Sequence, residues 1–181
     1  MAEKEIPSFF TSLARRRRSI RQFTNESLSQ DEVVELMKAP LMAPSSKSKR
    51  PWHFVLVDNK DMLERLSESK PAGAQFLAGA ALAVVVAVDS EKSDVWIEDG
   101  AVAATMLLLQ AEALGLGACW AQIRERSFPD GTSAEEVVRS IVGLPENMRV
   151  VAIVGVGRKE KGRKEQDESK LLWEQVHIDK F

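Results

Sequence analysis

The chain has 181 residues, 44% of them hydrophobic and 29% charged, which fits a folded globular protein and excludes a disordered or fibrous one. One domain over residues 1–181 accounts for this length, and a core of this size needs no disulfide or metal staple. The net charge is −2, yet residues 1–50 hold ten Lys and Arg against six Asp and Glu, a local basic excess that suggests an anion site more than a nucleic-acid-coated surface.

Pro7 to Arg17 reads as a first helix, with Phe9, Phe10, Leu13 and Ala14 on one face. Ser29-Gln30-Asp31-Glu32 has the capping-box form and opens a second helix with Val33, Val34, Leu36 and Met37 as apolar positions. Pro40 and Pro44 are expected to punctuate a polar loop, Ser45 to Arg50. Trp52 to Val57 reads as a strand and Asp61 to Ser67 as a short helix. Ala81 to Val88 is too apolar for a strand with one wet face and suits a central strand covered on both sides.

Trp96 to Leu114 is the strongest helix, apolar nearly all round, and Gly115-Leu116-Gly117 stops it. A helix without a polar face is expected to be buried on every side, here with help from a second subunit. Ala118 to Ile123 is a further strand. Ser133 to Glu136 repeats the capping-box form before a helix ending near Gly143, and Val150 to Val156 is the last strand. After the charged stretch Arg158 to Lys170, the tail keeps Leu171, Leu172, Trp173, Val176, Ile178 and Phe181 in a terminal position, where they require a surface to dock on.

No signal peptide is legible at the amino end, and the longest apolar run, Phe76 to Val88, falls short of the ~20 residues that cross a bilayer. The lone cysteine, Cys119, offers no intramolecular disulfide. The expectation is therefore a cytoplasmic protein in a reducing compartment, with no membrane partner. The chain lacks C-x-x-C and H-E-x-x-H and has only His53 and His177, so no metal site is expected. It also lacks G-x-S-x-G and a P-loop. Gly115 to Trp120 begins like a dinucleotide fingerprint, but the third glycine is missing and a helix precedes it.

Arg15, Arg16, Arg17, Arg18 and Arg21 place five guanidinium groups within seven residues. Three readings compete: a solvated helix end facing the negative pole of the macrodipole, a nucleic-acid contact, and a phosphate clamp. The last draws on paired hydrogen bonds from guanidinium to phosphate oxygens, and on an extended chain Arg17, Ser19 and Arg21 point one way.

Arg17-Arg18-Ser19-Ile20-Arg21-Gln22-Phe23 resembles the opening motif of the FMN-dependent nitroreductase family. Ala43-Pro44-Ser45-Ser46 with Pro51-Trp52-His53-Phe54 is similar to its second motif, and Leu114 to Trp120 to its third. Gly155-Val156-Gly157 and His177 fall where members carry matching residues, so the resemblance runs in order over nearly the whole chain. It implies an α+β nitroreductase-like fold with a central, mostly antiparallel sheet flanked by helices. It also implies an intertwined homodimer with two FMN sites at the interface and exchanged C-terminal tails.

The resemblance gives Arg17, Ser19 and Arg21 to the flavin phosphate and ribityl chain, with Arg21 also near N1 and O2. Arg18 joins them or packs on the dimer surface. Pro44, Ser45 and Ser46 match a segment that the other subunit lays along the flavin. In this loop Ser48 and Arg50 replace the asparagine and glutamine that members commonly carry. Ala121, Gln122 and Ile123 match a stretch whose backbone amides face the flavin near N5, with Ile123 where many members have glycine. A further phosphate contact is expected from Lys161, Arg163, Lys164 or Lys170, with Arg163 and Lys164 as the candidate pair.

The implied activity is hydride transfer from NADH or NADPH, through tightly bound FMN, to a small-molecule acceptor such as a nitroaromatic or quinone. The chemistry resides at flavin N5, and no side chain is assigned as catalytic. Two alternatives stand beside it. One is an FMN protein of the same fold with another reaction, dehalogenation or flavin breakdown. The other is a non-catalytic module for an anion or nucleic acid. The first reading expects no nucleic-acid partner.

Two residues have bland readings. Cys119 lies in an apolar run and reads as a buried, inert thiol more than a nucleophile. Trp96 suits core packing or the lining of a substrate pocket.

Overall fold

The computed structural model describes residues 8–181. Pro7, which the sequence places in the first helix, lies outside the described residues.

The sheet is organised around the valine triplet. Strand β1 (Trp52–Val57) pairs with β2 (Leu82–Asp89), β2 pairs with β4 (Met148–Gly157), and β4 pairs with β3 (Gly117–Gln122). Every pairing is antiparallel. β2 is buried from Leu82 to Val88, as its unbroken apolar sequence requires. Alternation sends its side chains to opposite faces. Leu82, Val84 and Val86 meet α2 (Gln30–Leu41) and α4 (Trp96–Ala113). Ala83 and Val85 meet α3 (Lys60–Ser67), the turn at Gln75–Gly79 and α5 (Ala134–Val142), through Leu63, Leu66, Leu77 and Val138. The result is a sheet between two helical layers. Each fully buried valine or leucine contributes about 1.5–3 kcal/mol.

The first helix, α1, covers Phe9–Arg16, but only Leu13 is buried; Phe9 and Phe10 are exposed. The capping box of α2 forms in full: the Ser29 hydroxyl accepts from the Glu32 amide at 3.2 Å, and the Glu32 carboxylate accepts from the Ser29 amide at 2.8 Å. Glu32 also pairs with Arg158 at 2.8 Å, which ties the start of α2 to the end of β4. Backbone and Arg158 contacts hold the Glu32 carboxyl below its ordinary pKa.

Two local expectations are corrected. α2 runs through Pro40 to Leu41, because in the last turn a proline forfeits one backbone bond and its ring can be buried against the core. Ser133 stands at the start of α5 but makes no side-chain cap; its backbone is bridged to Ser127.

α4 buries one face only, Asp99, Gly100, Ala103, Ala104, Leu107 and Ala111. Its other side leaves Val102 exposed and Met106, Leu108 and Leu109 half-buried. Full burial is therefore not achieved within one protomer. The tail is likewise uncovered. Gln166 donates to the Arg15 and Ala14 carbonyls and so fastens the segment before it to α1. Beyond it Leu171, Leu172, Trp173, Val176, Ile178 and Phe181 are all exposed. No helix among the described residues is long and apolar enough to cross a membrane.

Candidate functional site at the outer edge of the sheet

β3 is an outer strand, and its free edge gathers the residues of the arginine stretch. As the chain leaves α1 it straightens, and the Ile20 amide donates to the Ala118 carbonyl at 3.0 Å, with Ser19 bridged to Ala118 in parallel. The approach is tight. A Cβ on Gly117 would lie 2.7 Å from Ile20 Cγ2, so a larger residue there would push the arginine stretch off the sheet.

This contact fixes which backbone groups of β3 face outward. The Ala118 carbonyl points away from β4, so by alternation Trp120 and Gln122 also turn their polar groups to the open edge. Ala121 spends its own on Ile153. The Gln122 side chain is committed elsewhere: its Oε1 accepts from Trp120 Nε1 at 2.9 Å, and its Nε2 donates to the Arg124 carbonyl at 2.9 Å. What Gln122 can offer a ligand is therefore its backbone amide. Ile123 is fully buried in the core, and its carbonyl accepts from the Arg126 amide.

Beside this edge lies a cleft of about 450 Å³ lined by Ser19, Ile20, Arg21, Gln22, Lys161, Gly162 and Arg163. Arg163 donates to the Ser19 carbonyl at 3.2 Å and so closes the cleft. Lys164 is directed elsewhere: its carbonyl receives Arg18, and its side chain borders a separate surface hollow with Arg15 and Glu165 to Glu168. Lys170 ends a short turn outside the cleft.

The arginines divide by partner. Arg15 is ion-paired with Glu165 at 2.8 Å and Glu168 at 3.0 Å, and Arg16 donates to the Ser12 hydroxyl. Among the described residues no carboxylate pairs with Arg17, Arg18, Arg21, Lys161 or Arg163. The helix-end reading thus holds for Arg15 and Arg16, whereas Arg21 opens into the cleft. Cys119 lies under this group, near Arg21, Arg17 and Ser19. Burial pushes its thiol up in spite of them, which makes it a poor nucleophile.

The Ser45 to Arg50 loop is built as a rigid shelf. Lys47, Ser48 and Arg50 all adopt positive φ, at 51°, 53° and 45°, a conformation that costs about 1 kcal/mol or more for each non-glycine residue. The loop is fastened to hold it. The buried Asp99 carboxylate accepts from the Ser46 amide at 2.8 Å and from the Ser93 hydroxyl at 2.7 Å, and the Ser45 hydroxyl accepts from the Arg50 amide at 2.9 Å. Pro44, Ser48 and Arg50 are exposed on it. Asp99 lies in the first turn of α4, while Arg16, Arg18 and Ile20 cluster around Glu112 near its other end. About 20 Å of helix separates the two. One protomer therefore does not bring this loop to its own arginines.

Sequence reasoning did not single out Asp99 or the buried Lys70, whose ammonium donates to the Gln122 carbonyl at 2.8 Å. Each acts from a distant segment, and only a lysine set before a Pro-x-Gly turn hinted at the second. Trp96 packs on the core cluster around Trp52 and Ala103, with Arg124 over its ring at 5.8 Å. His53 is exposed on β1, and His177 lies against Phe181 with ring centroids 4.4 Å apart and the planes tilted by 42°. Among the described residues no group of three or more His, Cys, Asp and Glu is arranged to hold a metal ion.

These residues fit a flavin mononucleotide in two respects: the cleft joins guanidinium donors to a small hydroxyl and carries no carboxylate in its lining, and the strand beside it presents outward backbone donors. Comparison with known proteins agrees in kind. The profile of the Nitroreductase family matches residues 14–72 and 64–158. A protein of Archaeoglobus fulgidus, provisionally named NADH dehydrogenase/NAD(P)H nitroreductase, is 32% identical over 171 residues, covering 91% of this chain and 94% of its own. The structure of an FMN-dependent nitroreductase from Clostridium difficile R20291 superposes with a TM-score of 0.92 at 38% identity, covering 94% of this chain and 99% of that one. The NADPH:FMN oxidoreductase of Vibrio harveyi shares the fold, with a TM-score of 0.78 at 21% identity over 94% of this chain and 77% of its own.

Proposed function

Because the chain belongs to the nitroreductase family, we propose that it is an NAD(P)H-dependent flavin oxidoreductase whose FMN lies along the outer edge of β3. The observation that carries this reading is the edge itself: outward backbone groups flanked by cations that, among the described residues, no carboxylate neutralises. Bound there, FMN would supply hydride acceptance at N5 from NADH or NADPH and delivery to an acceptor such as a nitroaromatic or quinone.

The protein's part is to bind and orient. Arg17, Arg21 and Ser19 are assigned to the phosphate and ribityl chain, with Arg163 and Lys161 closing the cleft behind them. The Gln122 amide is assigned to the flavin edge. Arg18 and Lys164 bond to each other through the Lys164 carbonyl and are assigned to shaping the cleft wall. Pro44, Ser45, Ser46, Ser48 and Arg50 complete the site of a second copy. The distance between this loop and its own arginines supports that assignment, as do the uncovered side of α4 and the apolar tail. The proposed assembly is a homodimer with exchanged tails.

The test is spectroscopic. The purified protein is expected to be yellow, or to turn yellow with FMN, and its flavin absorbance to bleach when NADH or NADPH is added without oxygen. A colourless protein that takes up no FMN would overturn the reading. Flavin that neither cofactor bleaches would overturn the reductase assignment alone.

A further inference from the structure

The loop after α3 buries a charge for which the fold has no use. Lys70 is 7% exposed, and its Nζ donates to the Gln122 carbonyl at 2.8 Å. Among the described residues no carboxylate lies within ion-pair distance of it. Its ionisable neighbours are Arg126, which repels it, and the Cys119 thiol. Burial and Arg126 together pull the ammonium below the usual lysine range. The turn around it includes Gly73 at φ 81°, a backbone conformation that favours glycine.

Such a group is costly. An unpaired buried cation is disfavoured, and a well-packed apolar residue in its place is often neutral or stabilising. Holding the Gln122 carbonyl does not account for the charge, because a neutral donor would satisfy that oxygen equally well. Position suggests a different account. Gln122 ends the same outer edge on which Ser19 is bridged to Ala118, four residues earlier, and Arg17 and Arg21 lie near Cys119, the residue after Ala118 on that strand. Lys70 thus continues the cationic lining to the far end of the edge.

We propose that Lys70 is a second cation of the flavin site, held against Gln122 at the end of the β3 edge away from Arg17 and Arg21, and that it favours reduced, negatively charged FMN over oxidised FMN. The proposal rests on the FMN reading above. Lys70 sets the balance between the two redox forms through its charge and through the Gln122 backbone that it holds; it takes no part in hydride transfer. A fixed cation near a flavin stabilises the form with more negative charge.

The test compares wild type, Lys70→Met and Lys70→Arg in two measurements: denaturant stability of the FMN-free protein, and affinity for oxidised and reduced FMN without oxygen. Lys70→Met is expected to be at least as stable as wild type without flavin. It should bind oxidised FMN within about threefold of wild type but reduced FMN about tenfold more weakly, which lowers the two-electron potential by about 30 mV. Lys70→Arg is expected to keep most of the preference for reduced FMN. A merely structural lysine gives another pattern, in which Lys70→Met loses stability and both affinities fall together, and this would overturn the proposal. So would an unchanged ratio of the two affinities in a stable variant. If wild type itself takes up no FMN, the reading of the site falls, and this proposal with it.

Discussion

The two outer strands of the sheet meet their surroundings in opposite ways. β3 has its free edge engaged by Ile20 and Lys70 and flanked by Arg17, Arg21 and Arg163. Among the described residues no strand pairs with the outer side of β1, which contains no Lys or Arg and exposes His53 and Leu56. A bare strand edge invites another chain segment, whereas an edge lined with cations attracts an anion. The same chain carries an apolar tail without a surface to cover it. On the function proposed above, the β3 edge takes a ligand and the β1 edge is open to the tail of a second copy, and the difference can be tested from either side.

The largest effect is expected from removing residues 171–181. Loss of Leu171, Leu172, Trp173, Val176, Ile178 and Phe181 removes the apolar anchors of the proposed exchange. It should weaken dimerisation by about 4 kcal/mol or more, roughly a thousandfold in dissociation constant. Sedimentation equilibrium reads this directly, and an unchanged dimer would return the tail to its own protomer. Next in size, Arg17→Ala or Arg21→Ala should each weaken FMN binding by about 1.5–3 kcal/mol, the loss of a charge-assisted contact. Arg15→Ala should leave FMN affinity within about threefold, because Arg15 is an exposed partner of Glu165 and Glu168. Equal losses in all three variants would show that the cleft attracts FMN by its general charge and not by particular side chains.

The smallest effect lies far from both edges. Ser29→Ala removes half of the capping box and should cost about 1 kcal/mol of stability, with FMN affinity unchanged. Glu32→Gln, which removes the titrating carboxyl itself, should also reduce the acid sensitivity of the fold. The Glu32 carboxyl is held below its ordinary pKa by the Ser29 amide and Arg158. Its contribution is therefore complete above the unfolded carboxylate range and is lost as pH falls through the lower, folded value. Urea unfolding of wild type and Glu32→Gln between neutral pH and pH 3 checks the sign.

Much of this architecture is legible in the residues because it rests on local rules. Ser29 and Glu32 announce a cap, the Val84 to Val86 run announces a doubly covered strand, and the Ala-rich stretch after Trp96 announces a long helix. Local rules misjudge Pro40 and Ser133, the first placed in the last turn of its helix and the second bridged through its backbone to Ser127. The candidate site is legible in part. The motifs around Arg17 to Arg21 and Ala118 to Ile123 point to the two segments that the fold joins at Ile20 and Ala118. Which residues of β3 turn outward depends on its register with β4, and the placement of Asp99 and Lys70 depends on contacts between segments 53 and 52 residues apart. Neither can be read from spacing along the chain.

The central claim is that the β3 edge of one chain and the Pro44 to Arg50 loop of another form one FMN site. Its most direct test is sedimentation of the protein at increasing FMN, with flavin absorbance and protein absorbance recorded together. The account predicts one FMN per chain, travelling only with the dimer-sized species. Flavin that sediments with a single chain at full occupancy would contradict it.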